Sequence, residues 1–204
     1  MLALGGFVGV AHAGAYDDML QAVELGDVAT ARDLLYRGMD INTSDPAGNT
    51  LLIMASRNGN LPLVELFTKN RARLMARNRA GDTAIMLAAI KGHLPVVKYL
   101  VSAGAELNHG GWTPLGYAAL EGQAEVARFL LDSGANLNAK APNGSTPLML
   151  AARNGHEPVV KLLLARKADV TAVNEDGATA MSWALKNGNT EIANLLKAAG
   201  AKQQ

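Results

Sequence analysis

The chain of 204 residues has no cysteine, which excludes a disulfide scaffold and any metal site built on thiolates. It has no excess of charge either: 19 basic against 18 acidic residues leave a net charge of +1. A nucleic-acid binder needs a broad basic face, and this balance argues against one. Three catalytic signatures are missing, namely the G-x-x-x-x-G-K-[ST] phosphate loop, the G-x-S-x-G elbow and the H-E-x-x-H pair. The four histidines do not cluster. No residue is therefore assigned a catalytic, cofactor-binding or metal-binding role, and no cofactor is expected.

What the chain does have is a period. Gly48, Gly81, Gly111, Gly144 and Gly177 open five copies of one pattern, at spacings of 33, 30, 33 and 33 residues. The copies read GNTLLIMASRNGN, GDTAIMLAAIKGH, GWTPLGYAALEGQ, GSTPLMLAARNGH and GATAMSWALKNGN. A fixed period of this size means a stacked linear array in which each repeat touches its neighbours, with no single enclosed core. A binding surface is thus expected before a catalytic cleft.

Local chemistry gives each copy two helices. Thr113 and Thr146 stand where an N-cap is needed, with Pro114 and Pro147 at the first helical position. Ala118-Ala119 and Ala151-Ala152 allow close helix approach, and Gly26, Gly59, Gly92, Gly122, Gly155 and Gly188 break the first helix. Pro62, Pro95 and Pro158 fall in the first turn of the second helix, where a missing N–H costs little. Val96, Val97, Leu100 and Val101, then Val126, Ala127, Leu130 and Leu131, draw its apolar stripe.

These copies resemble the ankyrin repeat, whose motif is G-x-T-P-L-H-x-A-A, then G-H, then a second helix ending at G-A. Thr113-Pro114-Leu115 and Thr146-Pro147-Leu148 keep its T-P-L. The resemblance runs from about Tyr16 to Ala201 and extends to small exported (periplasmic) bacterial ankyrin-repeat proteins. It implies an all-α solenoid of about six helix–turn–helix repeats joined by β-hairpin-like fingers. The repeats divide as residues 16–44, 45–77, 78–107, 108–140, 141–173 and 174–201, within a single domain over 14–204. The first is degenerate, and Lys197 occupies a stripe position held by Val101, Leu131 and Leu164, as suits a terminal repeat. His93 and His156 fill the G-H position, where an imidazole is expected to bond across the turn between helices. Met86, Met149 and Met181 read as gap-filling core, and Trp183, in register with Leu87, Tyr117 and Leu150, as core too.

Residues 1–13 form an apolar leader. Residues 2–11 carry no charge, and Ala11-His12-Ala13 fits a small-x-small cleavage site before Gly14. The stretch is too short to span a membrane, and it lacks the basic start of a complete signal peptide, as a truncated or misassigned start would. Export to a bacterial periplasm, without stable membrane insertion after cleavage, is the preferred reading. The alternative is a cytoplasmic protein with an apolar tail.

Departures from the motif set this array apart. The motif histidine is replaced in every copy, by Ile53, Met86, Gly116, Met149 and Ser182. Arg71 and Lys167 stand where Gly38, Gly104, Gly134 and Gly200 close the second helix. If the backbone there is left-handed, each costs about 1 kcal/mol relative to glycine. Local rearrangement and a side chain kept for contact both remain open. Residues 107–111 are three residues shorter than the matching finger segments, leaving His109-Gly110-Gly111-Trp112. That gap reads either as a seat for a bulky partner element or as a tolerated deletion. Between Arg57 and Lys98, eight basic residues face two acids, while the preceding repeat is acidic. An acidic partner and a solvated face balanced by its neighbour are the two readings.

The resemblance places partner contact in the concave groove and at the finger tips. The residues expected there are Arg57, Arg79, Ile90, Lys91, Trp112, Leu120, Glu121, Asn143, Arg153 and Lys186, with Ala47, Asn49, Asp82, Ser145 and Glu175 among the finger positions. Ile90, Leu120 and Trp112 form an apolar centre with basic residues around it, the kind of anchor that dominates interface energies. The expected function is non-enzymatic protein binding by a monomer in the cell envelope, in support of an envelope enzyme or as an immunity protein against a periplasmic toxin. The rival is an enzyme or small-molecule binder using a pocket near His109 and Trp112.

Overall fold

A computed structural model describes residues 8–202. Residues 1–7 of the expected leader lie outside the described residues, while the Ala11-His12-Ala13 triplet falls within the first helix. Among the described residues there are twelve helices and no strand, only one isolated antiparallel bridge, Ser44 to Thr50. None of these helices is long and apolar enough to cross a membrane. The chain divides into two compact units, one ending at Ala84 and the other beginning at Ile85.

The first unit holds α1 (Val8–Leu25), α2 (Val28–Tyr36), α3 (Leu51–Arg57) and α4 (Leu61–Lys69). Asp27 caps α2 by accepting from the N–H groups of Ala29 and Thr30, both at 3.0 Å. Thr50 caps α3 through Ile53 N at 3.3 Å, and Asn60 caps α4 through Leu63 N at 3.0 Å. Each cap satisfies a donor that the first helical turn leaves open. Met19, Leu51, Leu52, Ile53, Leu63 and Phe67 are fully buried.

The second unit takes in α5 (Ala84–Ile90), α6 (Leu94–Ser102), α7 (Pro114–Leu120), α8 (Ala124–Asp132), α9 (Pro147–Arg153), α10 (Glu157–Ala165), α11 (Ala180–Lys186) and α12 (Thr190–Ala198). Pro114 and Pro147 open their helices behind Thr113 and Thr146, as the pattern predicts. Ala118, Ala119, Ala151 and Ala152 are buried where α7, α9 and α11 pack side by side. The second helices α8, α10 and α12 stack in a row of their own, each burying its Val, Ile or Leu stripe. Burying one such side chain is worth about 1.5–3 kcal/mol. Lys197 is exposed on α12, whereas Val101, Leu131 and Leu164 are half-buried.

The fingers are tight turns. In each full-length finger two main-chain bonds close the loop, as in Asn78 N to Asp82 O (3.0 Å) with Gly81 N to Asn78 O (2.9 Å). The same pair recurs at Asp45, Ala141 and Asn174. Residues 107–111 close no such pair among the described residues. Arg71 and Lys167 do sit in the left-handed region, with φ of 64° and 63°. The helix ends are thus not rearranged around them, and neither side chain has an ion-pair partner among the described residues.

Candidate protein-binding face

Within the second unit, Ile90, Leu120, Arg153 and Lys186 share one register, two residues before the glycine that breaks each first helix. Ile90 and Leu120 are half-buried; Lys91, Glu121, Arg153 and Lys186 are exposed. The register therefore runs from apolar at α5 and α7 to cationic at α9 and α11. Asn143 is exposed at a finger tip, where its carbonyl accepts from Glu175 N at 3.1 Å and so stacks one finger on the next.

Trp112 lies half-buried on the shortened finger, its ring stacked on Tyr117 with centroids 4.9 Å apart and planes within 7°. The missing motif histidine bears on this. A Cβ built at Gly116 would sit in ordinary contact with the indole, 3.8 Å from Trp112 Cε3. At the other substituted positions, Ile53, Met86 and Met149 are buried, and Ser182 Oγ accepts from Thr179 N at 2.9 Å in a capping box.

Trp183 is not core. It is half-buried, with the Arg153 guanidinium 5.2 Å from its ring centroid. Leu150, in the same register, is 3% exposed, whereas Leu87 and Tyr117 are half-buried like Trp183. Among the described residues α11 has a first-helix neighbour on one side alone, and its indole projects onto the surface. Arg153, Trp183, Lys186, Asn187 and Asp176 line a hollow of about 260 Å³ there.

In the first unit, Arg57 and Arg79 are exposed. Arg79 N donates to Ala47 O at 3.0 Å, tying one finger to the next. Three expected finger contacts are corrected: Asn49, Asp82 and Ser145 are buried. Asn49 accepts from Asn78 Nδ2 at 2.9 Å and donates through its own Nδ2 to Asp45 at 2.8 Å, so its amide holds the fingers together. Burial works to raise the Asp45 pKa. The bonds from the Asn49 side chain and the backbone, with the Arg57 charge, outweigh it and leave the carboxyl below its ordinary value.

At the shortened finger, His109 is half-buried. Its Nδ1 lies 3.2 Å from Gly110 O, and its Nε2 is sealed without a partner. Asn108, Thr113, Asn136 and Lys140 join it around a hollow of about 320 Å³, to which Trp112 does not contribute.

Two ladders escaped the sequence reading. Gln123, His156 and Asn189 each reach back to the carbonyl end of the preceding first helix, at Ile90 O (3.3 Å), Leu120 O (2.9 Å) and Ala152 O (2.9 Å). His156 thus ties its repeat to the preceding one, not helix to helix across its own turn. Asn42, Asn108 and Asn138 accept from the backbone N–H of Arg73, Asn136 and Asp169, at 3.0, 2.7 and 3.0 Å. The recurrence of polar residues at these registers is the signal that could have found both.

Helix pairs broken by left-handed glycines, linked by stacked turns and carrying polar ladders from repeat to repeat, define a helix–turn–helix solenoid. The family described as Ankyrin repeats (3 copies) matches residues 19–110, 72–141 and 138–204. The chain belongs to the ankyrin-repeat family, whose members are generally protein–protein interaction modules and typically non-enzymatic. Among curated proteins none matches the chain.

Proposed function

We propose that the protein is an exported, non-enzymatic binding module that holds one protein partner on the first-helix face of its second unit. The observation that carries this reading is the pair of half-exposed tryptophans, one stacked on Tyr117 and the other under Arg153, beside half-buried Ile90 and Leu120. Aromatic and arginine anchors of this kind supply most of the energy in protein interfaces. The exposed Lys91, Glu121 and Lys186 at the helix ends and Asn143 at a finger tip give the rim. Arg57 and Arg79, exposed on the first unit, are candidate contacts of that unit taken by itself.

Export rests on the apolar, uncharged stretch of residues 2–11 followed by Ala11-His12-Ala13. The module then acts in the bacterial envelope as a monomer, supporting an envelope enzyme or neutralising a periplasmic toxin. N-terminal sequencing of the protein from a periplasmic fraction tests export: a mature chain starting near Gly14 supports it, and an intact start in the cytoplasm contradicts it.

Affinity capture from envelope extract tests the face. The bait is the full chain, compared with a variant carrying Ile90→Ser, Trp112→Ala and Leu120→Ser that retains its helical circular dichroism. A protein held by the first and lost from the second supports the assignment; equal retention refutes it. The hollow beside His109 favours a small-molecule reading less, because the unpartnered Nε2 is sealed from solvent.

A further inference from the structure

We infer that the hollow on α9 and α11 is a seat for one carboxylate, supplied by an Asp or Glu side chain of an acidic segment in the partner. The inference rests on the binding-face reading above and names the chemistry recognised at one end of that face.

The chemistry follows from Arg153. Its guanidinium is planar and lies over the Trp183 ring, 5.2 Å from the centroid, a cation–π contact that favours this placement before any partner arrives. It makes no ion pair or side-chain hydrogen bond among the described residues. A guanidinium holds its N–H donors in its own plane, and a carboxylate matches that fork with two parallel bonds. Lys186 lines the same hollow, exposed and likewise without an ion-pair partner.

Asp176 is the one acid in the lining, so the hollow carries two cations against one anion. That surplus of one positive charge suits a single carboxylate and works against a doubly charged phosphate. Asn187 Nδ2 donates one of its two N–H groups to Trp183 O at 2.9 Å, which orients the amide and leaves the other N–H for a carboxylate oxygen. The volume of about 260 Å³ falls below the roughly 300–1,000 Å³ of small-molecule sites. One side chain fits it.

The test is selection of a random peptide library, each peptide fused at its C-terminus to a common linker, on the full-length protein. The linker removes the terminal carboxylate as a source. Enriched peptides are synthesised with amidated C-termini and titrated against the wild type, Arg153→Gln, Lys161→Gln and the Ile90/Trp112/Leu120 variant. Lys161 lies on α10, paired to Glu157, and its substitution changes net charge equally.

The expected result is an acidic residue at one shared position. Its amide replacement and Arg153→Gln should each weaken binding about tenfold or more, the pair together no more than either alone, with Lys161→Gln near neutral. Peptides without an acidic position, or equal effects of Arg153→Gln and Lys161→Gln, overturn the carboxylate seat. If those peptides still respond to the Ile90/Trp112/Leu120 variant, the face reading stands. Peptides indifferent to every variant, or no enrichment at all, overturn both.

Discussion

His156 Nε2 lies 2.9 Å from the carbonyl oxygen of Leu120. A carbonyl can only accept, so Nε2 carries the proton and the tautomer is fixed by the contact. The ring also covers Gly122, where a built Cβ would come 2.5 Å from Nδ1 at a φ of 72°. Leu120 O has a second donor, Asn154 Nδ2 at 2.8 Å, and keeps it if the imidazole is removed. His156→Ala should therefore cost only about 1 kcal/mol. Gly122→Ala combines a left-handed alanine with a clash and should cost about 2 kcal/mol. Denaturant midpoints of the two single variants and the double should show less than additive loss, because deleting the ring clears the space for the methyl.

Arg71 and Lys167 are the two non-glycine residues at positive φ among the described residues. Since neither side chain has a partner that the geometry reveals, the strain has no compensation in the fold. Arg71→Gly and Lys167→Gly should each raise stability, by up to about 1 kcal/mol, a gain partly offset by the greater freedom of glycine in the unfolded chain. Urea unfolding checks this.

Asp45 and Asp169 are both held below the ordinary aspartate range. For Asp169 the Thr171 hydroxyl and N–H bonds, at 2.7 and 2.8 Å, do so against a smaller burial effect, with Lys140 adding its charge. A folded pKa below the unfolded value gives stability that is complete above about 3.9 and is lost as pH falls through the folded value. Thermal midpoints should thus be insensitive to these groups from neutral pH down to about 4 and fall below it. Asp45→Asn with Thr171→Val should flatten that acid limb; an unchanged slope would count against the assignment.

Asn138 tests the finger ladder. Its Oδ1 accepts from Asp169 N at 3.0 Å, one of three such rungs. Asn138→Ala should cost about 1 kcal/mol, and amide exchange at Asp169 should quicken more than at the caps of neighbouring helices.

The period, the caps at Thr113 and Thr146, the prolines and the glycine breaks were all readable, because each follows from backbone chemistry at a single residue. Side chains that lie between repeats were not. Trp183 read as core because Leu87, Tyr117 and Leu150 share its register, yet of these three Leu150 alone is buried. Asn49, Asp82 and Ser145 read as surface because finger tips in general are; whether a short polar side chain turns inward depends on the neighbouring finger. His156 was seen at its position, but its partner, Leu120, lies 36 residues away. Of the candidate contacts, Ile90, Leu120 and Trp112 prove half-buried, and Arg57, Arg79, Lys91, Glu121, Asn143, Arg153 and Lys186 exposed. That leaves all ten accessible to a partner.

Hydrogen–deuterium exchange of the protein, alone and with its captured partner, tests the binding face most directly. The account predicts slowed exchange at the ends of α7, α9 and α11 and in the fingers before them, with α8, α10 and α12 unchanged. Protection confined to α8, α10 and α12, or to the basic stretch of residues 71–79, would contradict it.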